Sequence, residues 1–390
     1  YNAISSSSTI KAADSLAKFT QCKNERITYD SSRKKYYLNS FFPSLPSKAW
    51  ERMLDSMQSI KFGVHKPYQS DIVVTGKCHC NCWHCYRNKF GRDDLGLEQI
   101  KKFIDQSFAL GIANCGITGG EPMLRNDIKE IIDYIPDGME GQLYSTGHKI
   151  DDEFCEYLNT TNLTRVIISL DHYKEEIVTK TRDNKNAFQE TILAIEALVR
   201  NNIYTVVTLC VTETFFAEDI ESYFNFIGKF GIQEVRIVMP IPQGKIEGID
   251  IKATYRNVRN LMFDMKNKYL DIPDAPNIVL FSEFESHQYF GCSAGAHYLT
   301  VNNDGAITPC VAVPLSFGNI YEEDLEDIYT RMKKYFKCSG ITCYGRRVAK
   351  VMKELGIDTS VTPLSRDVSE FVAEHYIVDA DTSCFFEDFL

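Results

Sequence analysis

Residues 71–85 read DIVVTGKCHCNCWHC, a short strand-like run followed at once by four cysteines in eight residues. A disulfide knot, a zinc site or an iron–sulfur cluster could use so many thiols. Clustered cysteines in a chain that starts without an apolar secretory signal are more typical of metal ligands than of disulfides. Zinc could use Cys78, Cys80 or Cys82, Cys85 and a histidine, but most structural zinc sites take a second ligand pair from a distant segment. Three thiolates in one loop favour a cubane cluster with one iron left open to another ligand.

The composition and net charge of the chain limit the classes of protein to which it could belong. The chain has 390 residues, 44% of them hydrophobic and 25% charged, which is typical of a globular protein with a large core. The net charge of −10 argues against a nucleic-acid partner, because such proteins usually carry a basic surplus. We find no apolar run of about 18 residues, which is the length that a membrane helix needs. We therefore expect a cytoplasmic protein with no membrane and no nucleic-acid partner.

A regular alternation of strands and helices begins at residue 71. Short Val/Ile-rich runs, each followed by a helical pattern, predict six β–α units and a parallel sheet. The predicted strands are 71–77, 114–120, 141–147, 164–171, 204–211 and 233–240. Six units can form an open doubly wound sheet or a partly closed barrel, and either places the chemistry at the carboxyl ends of the strands. The cysteine loop follows the first strand, so it belongs to that edge.

The chain divides into three predicted regions. Residues 1–70 are expected to be mostly helical and partly mobile, and residues 71–270 form the α/β unit. Residues 271–390 are expected to form a smaller α+β unit with a hairpin at 297–311, a helix at 322–336 and a C-terminal tail. Cysteines reappear in this last region, which indicates a second metal site.

The spacing Cys78-x3-Cys82-x2-Cys85 resembles the defining loop of the radical S-adenosylmethionine (SAM) superfamily. The segment ITGGEP at 117–122 resembles the family's GGEP segment at the end of the second strand. The resemblance implies a partial (β/α)6 barrel, a [4Fe–4S] cluster held by those three cysteines, and SAM on its open iron. Cys80 is surplus in this register.

The same resemblance implies a set of SAM contacts. Gly119 and Gly120 would bring backbone close to the SAM amino group, and Glu121 would add an anionic acceptor there. Five more positions match cofactor contacts of the family. They include the position before the last cysteine of the loop and the ends of the third and fourth strands, and they are His84, Ser145, Ser169, Asp171 and Arg182.

The second cysteine set has its own spacing. Twelve residues separate Cys292 from Gly305 and four more precede Cys310, which resembles the SPASM or twitch extension of radical SAM enzymes. Five cysteines cannot supply four ligands to each of two clusters, so one auxiliary cluster is expected. Its ligands would be Cys292, Cys310, Cys343 and either Cys338 or Cys384, and it would be [4Fe–4S] or [2Fe–2S].

The resemblance implies that the enzyme reductively cleaves SAM to a 5′-deoxyadenosyl radical that takes a hydrogen atom from the substrate. A flavodoxin or ferredoxin would donate the electron. The first hypothesis for the substrate is a ribosomally made peptide that undergoes crosslinking or another maturation step. The second is a small molecule that undergoes dehydrogenation or a related redox reaction. The third is a non-enzymatic zinc- or cluster-binding regulator, against which the six β–α units and GGEP argue.

Overall fold

The computed structural model describes residues 14, 16, 18, 25–211, 213–249 and 252–375. A nine-stranded sheet lies at the centre of this part of the chain. The strands are β1 (Thr28–Asp30), β2 (Lys35–Tyr37), β3 (Gln69–Thr75), β4 (Asn114–Gly119), β5 (Glu140–Ser145), β6 (Leu163–Ser169), β7 (Tyr204–Cys210), β8 (Glu234–Val238), β9 (Asn277–Leu280), β10 (Tyr298–Val301) and β11 (Ile307–Thr308). Their order in the sheet is β11-β10-β3-β4-β5-β6-β7-β8-β9, while β1 and β2 form a separate hairpin. The sheet is open, so the barrel that it forms is incomplete.

Helices connect and cover these strands. The α-helices are α1 (Lys48–Gln58), α2 (Leu97–Leu110), α3 (Ile128–Asp133), α4 (Asp152–Leu158), α5 (Glu175–Arg182), α6 (Ala187–Arg200), α7 (Glu213–Ile227), α8 (Lys252–Leu270), α9 (Phe281–Phe284), α10 (Leu325–Met332), α11 (Tyr344–Glu354) and α12 (Arg366–Glu374). Short 3-10 turns lie at Ser59–Phe62, Pro122–Leu124, Gly228–Phe230 and Gly244–Ile246. Among the described residues, we find no helix with the length and apolar character needed to cross a membrane.

The six predicted β–α units are confirmed as strands β3 to β8 and the helices that follow them. These strands pair in parallel and in chain order. Their Val/Ile runs are buried; Ile72, Val73 and Val74 of β3, for example, are fully inaccessible to solvent. A parallel sheet covered by helices buries its strands on both faces, and this explains why the runs are continuous rather than alternating.

The sheet extends beyond the six units at both edges. On one edge β9 pairs in parallel with β8. On the other, the predicted hairpin is confirmed as β10–β11, but β10 also pairs in parallel with β3 and places Tyr298 opposite Gln69. The C-terminal hairpin therefore continues the barrel sheet directly beside the strand that carries the cysteine loop.

The N-terminal segment closes the opposite end of the barrel. The backbone N–H groups of Ser40 and Ser44 donate to Glu234 at 2.7 Å and to Glu140 at 2.9 Å, the first residues of β8 and β5. Glu140 also accepts from the fully buried Arg165 at 2.7 Å. Residues 25–70 contain α1 and the 3-10 turn Ser59–Phe62, and they also contain the β1–β2 hairpin, which the expectation of a mostly helical region did not include.

Candidate functional site

The cysteine loop lies just beyond β3, at the carboxyl edge of the sheet. It is fixed by the C-terminal turn of α5, because the N–H of Asn81 donates to the carbonyl of Arg182 at 2.8 Å and that of Trp83 to Thr181 at 3.0 Å. The end of β4 packs equally closely. A Cβ on Gly120 would lie 2.1 Å from the carbonyl oxygen of Lys77 and 3.0 Å from the Cβ of Cys78, so only glycine fits there.

The thiols of this loop form one interacting group. Hydrogen bonding from the Cys80 thiol lowers the pKa of Cys78 and lowers the pKa of Cys82 to about 7, while burial opposes both shifts. Burial raises the pKa of Cys85. All eleven cysteines that the structure describes are free thiols, so the disulfide hypothesis fails for them. A loop of free thiols, two of which have a lowered pKa, fits an iron–sulfur cluster, whose ligands are thiolates.

Cys80 differs from its neighbours in its surroundings. It is 8% exposed, packs in the apolar core and accepts a weak hydrogen bond from the amide nitrogen of Asn184 at 3.6 Å. Cys78, Cys82 and Cys85 are half-buried at the edge of the sheet. We therefore treat Cys80 as a structural thiol and Cys78, Cys82 and Cys85 as the predicted ligands.

Paired serine variants test this assignment. Cys80→Ser is expected to keep the full iron content of the anaerobically reconstituted protein, whereas Cys82→Ser is expected to lose about four irons, the content of one cubane. Iron and sulfide analysis of both variants checks the prediction. Equal iron loss in the two variants would make Cys80 a ligand.

Glu121 holds the ends of β4 and β5 together. One carboxylate oxygen accepts from the N–H of Met123 at 3.1 Å and the hydroxyl of Ser145 at 2.8 Å. The other accepts from the N–H and hydroxyl of Thr146 at 2.8 and 2.7 Å. The side chain is inaccessible to solvent. Two predicted SAM contacts, Glu121 and Ser145, are therefore hydrogen-bonded to each other, and Gly119 and Gly120 are the half-buried part of this segment.

A buried ion pair joins two more predicted contacts. Nη2 of Arg182 donates to Oδ2 of Asp171 at 2.5 Å, and Oδ1 of Asp171 accepts from the N–H of Cys210 at 3.1 Å. Burial opposes ionisation of Asp171, but Arg182 and His84 outweigh it and lower its pKa. Nε of Arg182 and Nδ1 of His84 are shielded from solvent without a hydrogen-bond partner among the described residues. Ser169 ends β6 beside this pair and is half-buried.

The second cysteine set converges on three thiols. Cys292 and Gly340 exchange backbone hydrogen bonds of 2.8 and 2.9 Å, and the Sγ of Cys292 accepts from the N–H of Tyr344 at 3.5 Å. A hydrogen bond from the Cys292 thiol lowers the pKa of Cys343 to about 6, against burial. Burial and the nearby Cys343 raise the pKa of Cys310. Free thiols on three separate segments fit the donor set of an auxiliary cluster.

The fourth ligand of that set stays a prediction. The carbonyl of Cys338 accepts from the hydroxyl of Tyr344 at 3.3 Å, next to the Cys292–Gly340 pairing. Cys384 lies outside the described residues. The sequence analysis missed Glu285, whose pKa is raised by burial and by the adjacent Cys343. Nothing in the segment FSEFESHQYF distinguishes that glutamate, because its neighbours arrive from distant parts of the chain.

Polar side chains line the interior of the barrel, and the sequence did not reveal them as a group. The hydroxyl of Tyr298 on β10 donates to Oδ2 of Asp71 on β3 at 2.5 Å. Burial raises the pKa of Asp71 to about 6. Oδ1 of Asp71 and Oε1 of Gln142 are shielded from solvent without a hydrogen-bond partner among the described residues. The only signal in the sequence was an acidic residue directly before the apolar run 72–74.

Comparison with known proteins identifies both halves of this arrangement. Residues 72–227 match the Radical SAM superfamily, and residues 292–346 match SPASM, an iron-sulfur cluster-binding domain. The AdoMet-dependent heme synthase of Methanosarcina barkeri is 24% identical over 288 residues, which cover 68% of this chain and 82% of that protein. The sporulation killing factor maturation protein SkfB of Bacillus subtilis is 22% identical over 364 residues, 90% of this chain and 85% of that protein.

Among solved structures, Streptococcus suis SuiB bound to the precursor peptide SuiA superimposes with a TM-score of 0.61. The identity is 17%, and the superposition covers 91% of this chain and 87% of that chain. At this identity the likeness concerns the fold.

Proposed function

This chain is a radical SAM protein with a C-terminal SPASM domain, and we propose that it modifies a ribosomally made peptide by crosslinking or another maturation step. Its cofactors are a [4Fe–4S] cluster with SAM and further iron–sulfur at the SPASM domain. When bound, the reduced cluster and SAM would supply radical chemistry, namely a 5′-deoxyadenosyl radical that would take a hydrogen atom from a carbon that acid–base groups cannot activate. In our proposal Cys78, Cys82 and Cys85 hold the first cluster.

The position of Tyr86 carries the proposal. This half-buried tyrosine directly follows Cys85, and its pKa is raised first by removal of its hydroxyl from solvent and further by Cys85, Asp71 and Cys310. One residue of each thiol set, Cys85 and Cys310, therefore contributes to the pKa of this one side chain. In our proposal Cys292, Cys310 and Cys343 would hold an auxiliary cluster, which would supply an acceptor for an electron from the substrate.

The chain's own groups have distinct roles in this proposal. The unpartnered Nε of Arg182 is a charged donor suited to the SAM carboxylate, and the unpartnered Oδ1 of Asp71 and Oε1 of Gln142 are acceptors for polar groups of the substrate. The Ser40–Ser44 segment closes the far end of the barrel and excludes water from it. The substrate would then enter at the edge that carries the cysteine loop.

The relatives support a peptide more than a small molecule. SkfB, named as a maturation protein, aligns with 90% of this chain, and the fold neighbour SuiB was solved with a precursor peptide. The alternative is a small-molecule redox enzyme, which the likeness to a heme synthase over 68% of this chain favours. A one-electron donor such as a flavodoxin or ferredoxin would reduce the first cluster in either case.

Two measurements test the proposal in sequence. The reconstituted protein is incubated with SAM and dithionite without oxygen, and 5′-deoxyadenosine is quantified in the wild type and in Cys78→Ala/Cys82→Ala/Cys85→Ala. We expect the nucleoside only in the wild type, with about four irons fewer in the triple variant. Zinc instead of iron and no SAM cleavage would refute radical chemistry and favour a metal-binding regulator.

The substrate class needs a separate experiment. The chain is co-expressed with each short peptide encoded beside its gene, and the peptides are analysed by mass spectrometry. Formation of a crosslink removes two hydrogen atoms from the peptide. One is transferred to the deoxyadenosyl radical, and the other leaves as a proton and an electron. That mass loss in the wild type alone supports the proposal; unmodified peptides with vigorous SAM cleavage would favour the small-molecule alternative.

A further inference from the structure

A cluster of two histidines and a glutamate lies beside the cysteine loop and has no part in the function proposed above. His79 is the residue after Cys78, His148 follows β5, and Glu190 lies in the first turn of α6. One ligand atom from each residue lies within 4.8 Å of the other two. We propose that His79, His148 and Glu190 bind a divalent cation of the zinc class, separate from both iron–sulfur clusters, which fastens the cysteine loop to α6.

The distances between ligand atoms match such a cation. Nδ1 of His148 lies 3.0 Å and Nε2 of His79 lies 3.4 Å from Oε2 of Glu190. Ligands about 2.0–2.1 Å from a tetrahedral zinc lie about 3.3 Å from one another. The imidazole rings are 4.3 Å apart between centroids, and each has one nitrogen within 3.4 Å of the same carboxylate oxygen. Two imidazoles and one carboxylate suit Zn²⁺ or Fe²⁺ rather than Mg²⁺ or Ca²⁺, which prefer oxygen ligands.

His79 has little to hold it in position besides the 3.4 Å contact of its Nε2 with Oε2 of Glu190. Both of its ring nitrogens are shielded from solvent, and neither forms a hydrogen bond with the described residues. Buried polar atoms are normally hydrogen-bonded, so two orphan nitrogens on one ring call for a partner. A cation held by His79 and Glu190 would satisfy one of them.

The backbone around the cluster is fixed before any cation binds. Gly147 has a φ of +97°, and a Cβ there would lie 2.9 Å from the Cα of Thr191 and 3.0 Å from the carbonyl oxygen of Glu190. The hydroxyl of Thr191 donates to the carbonyl of Thr146 at 2.7 Å. Through these contacts the loop after β5 packs against the first turn of α6, and His148 lies beside Glu190. A preorganised site costs little ordering entropy when it binds its ligand.

The test uses the holoenzyme, because loaded clusters occupy the competing thiols. Zn²⁺ is titrated against a chromophoric chelator without oxygen, and Co²⁺ binding is followed by its ligand-field spectrum. We expect about one equivalent of metal beyond the clusters, as a three-ligand site predicts, and a Co²⁺ spectrum without thiolate charge-transfer bands. Iron content measured before and after the titration is expected to stay constant.

Variants identify the ligands. Glu190→Gln and His148→Gln preserve side-chain size and are each expected to weaken Zn²⁺ binding by more than about 100-fold, since ligand loss exceeds the effect of losing a supporting group. His65→Gln is the matched control, because His65 lies 3.3 Å from His297 in another histidine pair. It is expected to bind as the wild type does.

A second readout does not depend on spectroscopy. Added Zn²⁺ is expected to raise the thermal midpoint of the wild type and of His65→Gln but not of Glu190→Gln, because a ligand that binds only the folded state stabilises it. The proposal is overturned if the holoenzyme takes up no zinc, if Glu190→Gln binds it equally well, or if zinc uptake is matched by iron release. None of these outcomes depends on SAM cleavage or on a peptide substrate.

Discussion

Replacing Cys292 with serine is expected to remove one whole cluster, so that iron falls from about eight to about four per chain, or from about six to about four if the auxiliary cluster is [2Fe–2S]. Cys292 is 2% exposed and hydrogen-bonds with Cys343, whose pKa the contact lowers to about 6. Loss of this thiol leaves too few of the converging cysteines to hold a cluster. We expect 5′-deoxyadenosine formation to persist, because the first cluster has its own ligands, while formation of modified product is lost.

Controls separate cluster loss from general damage. Cys155→Ser changes a fully buried thiol in α4, away from both thiol sets, and should leave the iron content unchanged. Cys338→Ser decides whether Cys338 supplies the fourth ligand. Iron analysis and product assays on the same preparations check all three variants. Full iron retention in Cys292→Ser would contradict the assignment of this residue.

Replacing Arg182 with glutamine is expected to cost about 3–5 kcal/mol of folding free energy, because it leaves the carboxylate of Asp171 buried without its charge partner. The two side chains are 3% and 10% exposed, so solvent cannot compensate. The double variant Arg182→Met/Asp171→Asn removes both charges and keeps an acceptor for the N–H of Cys210. It should recover most of the lost stability, as neutral replacements of buried ion pairs often do.

The double variant also tests the role that the family resemblance assigns to Arg182. If its guanidinium binds the SAM carboxylate, the stable double variant should bind SAM about 10–100-fold more weakly, the value of a hydrogen bond to a charged group. Denaturant unfolding measures stability, and calorimetric titration of the reconstituted protein measures SAM affinity. Arg200→Gln is the control, since its pair with Asp152 is exposed and should cost under about 1 kcal/mol. Unchanged SAM affinity in the double variant would make Arg182 purely structural.

The sequence revealed features that are local in the chain. Buried parallel strands favour short Val/Ile runs, so β3, β6, β7 and β8 could be predicted from such runs, and β4 and β5 from their places between helical patterns. The thiol spacings of Cys78–Cys82–Cys85 and of Cys292–Gly305–Cys310 are equally local. Glu285, Asp71 and the His79–His148–Glu190 cluster could not be found in this way, because each derives its meaning from side chains that arrive from other elements.

By itself, the sequence determined the β–α order, the position of the cysteine loop beyond the first strand and the presence of a second thiol set, since each depends on neighbouring residues. Only the tertiary structure decided that β10 joins the sheet beside β3 and that Cys85 and Cys310 both raise the pKa of Tyr86. The tertiary structure also forms the ion pair between Arg182 and Asp171 and the hydrogen bond from Ser145 to Glu121. The physical reason is that a buried charged or polar group is stable only when it is paired or hydrogen-bonded. The packing of the sheet determines which group is its partner, whatever their distance along the chain.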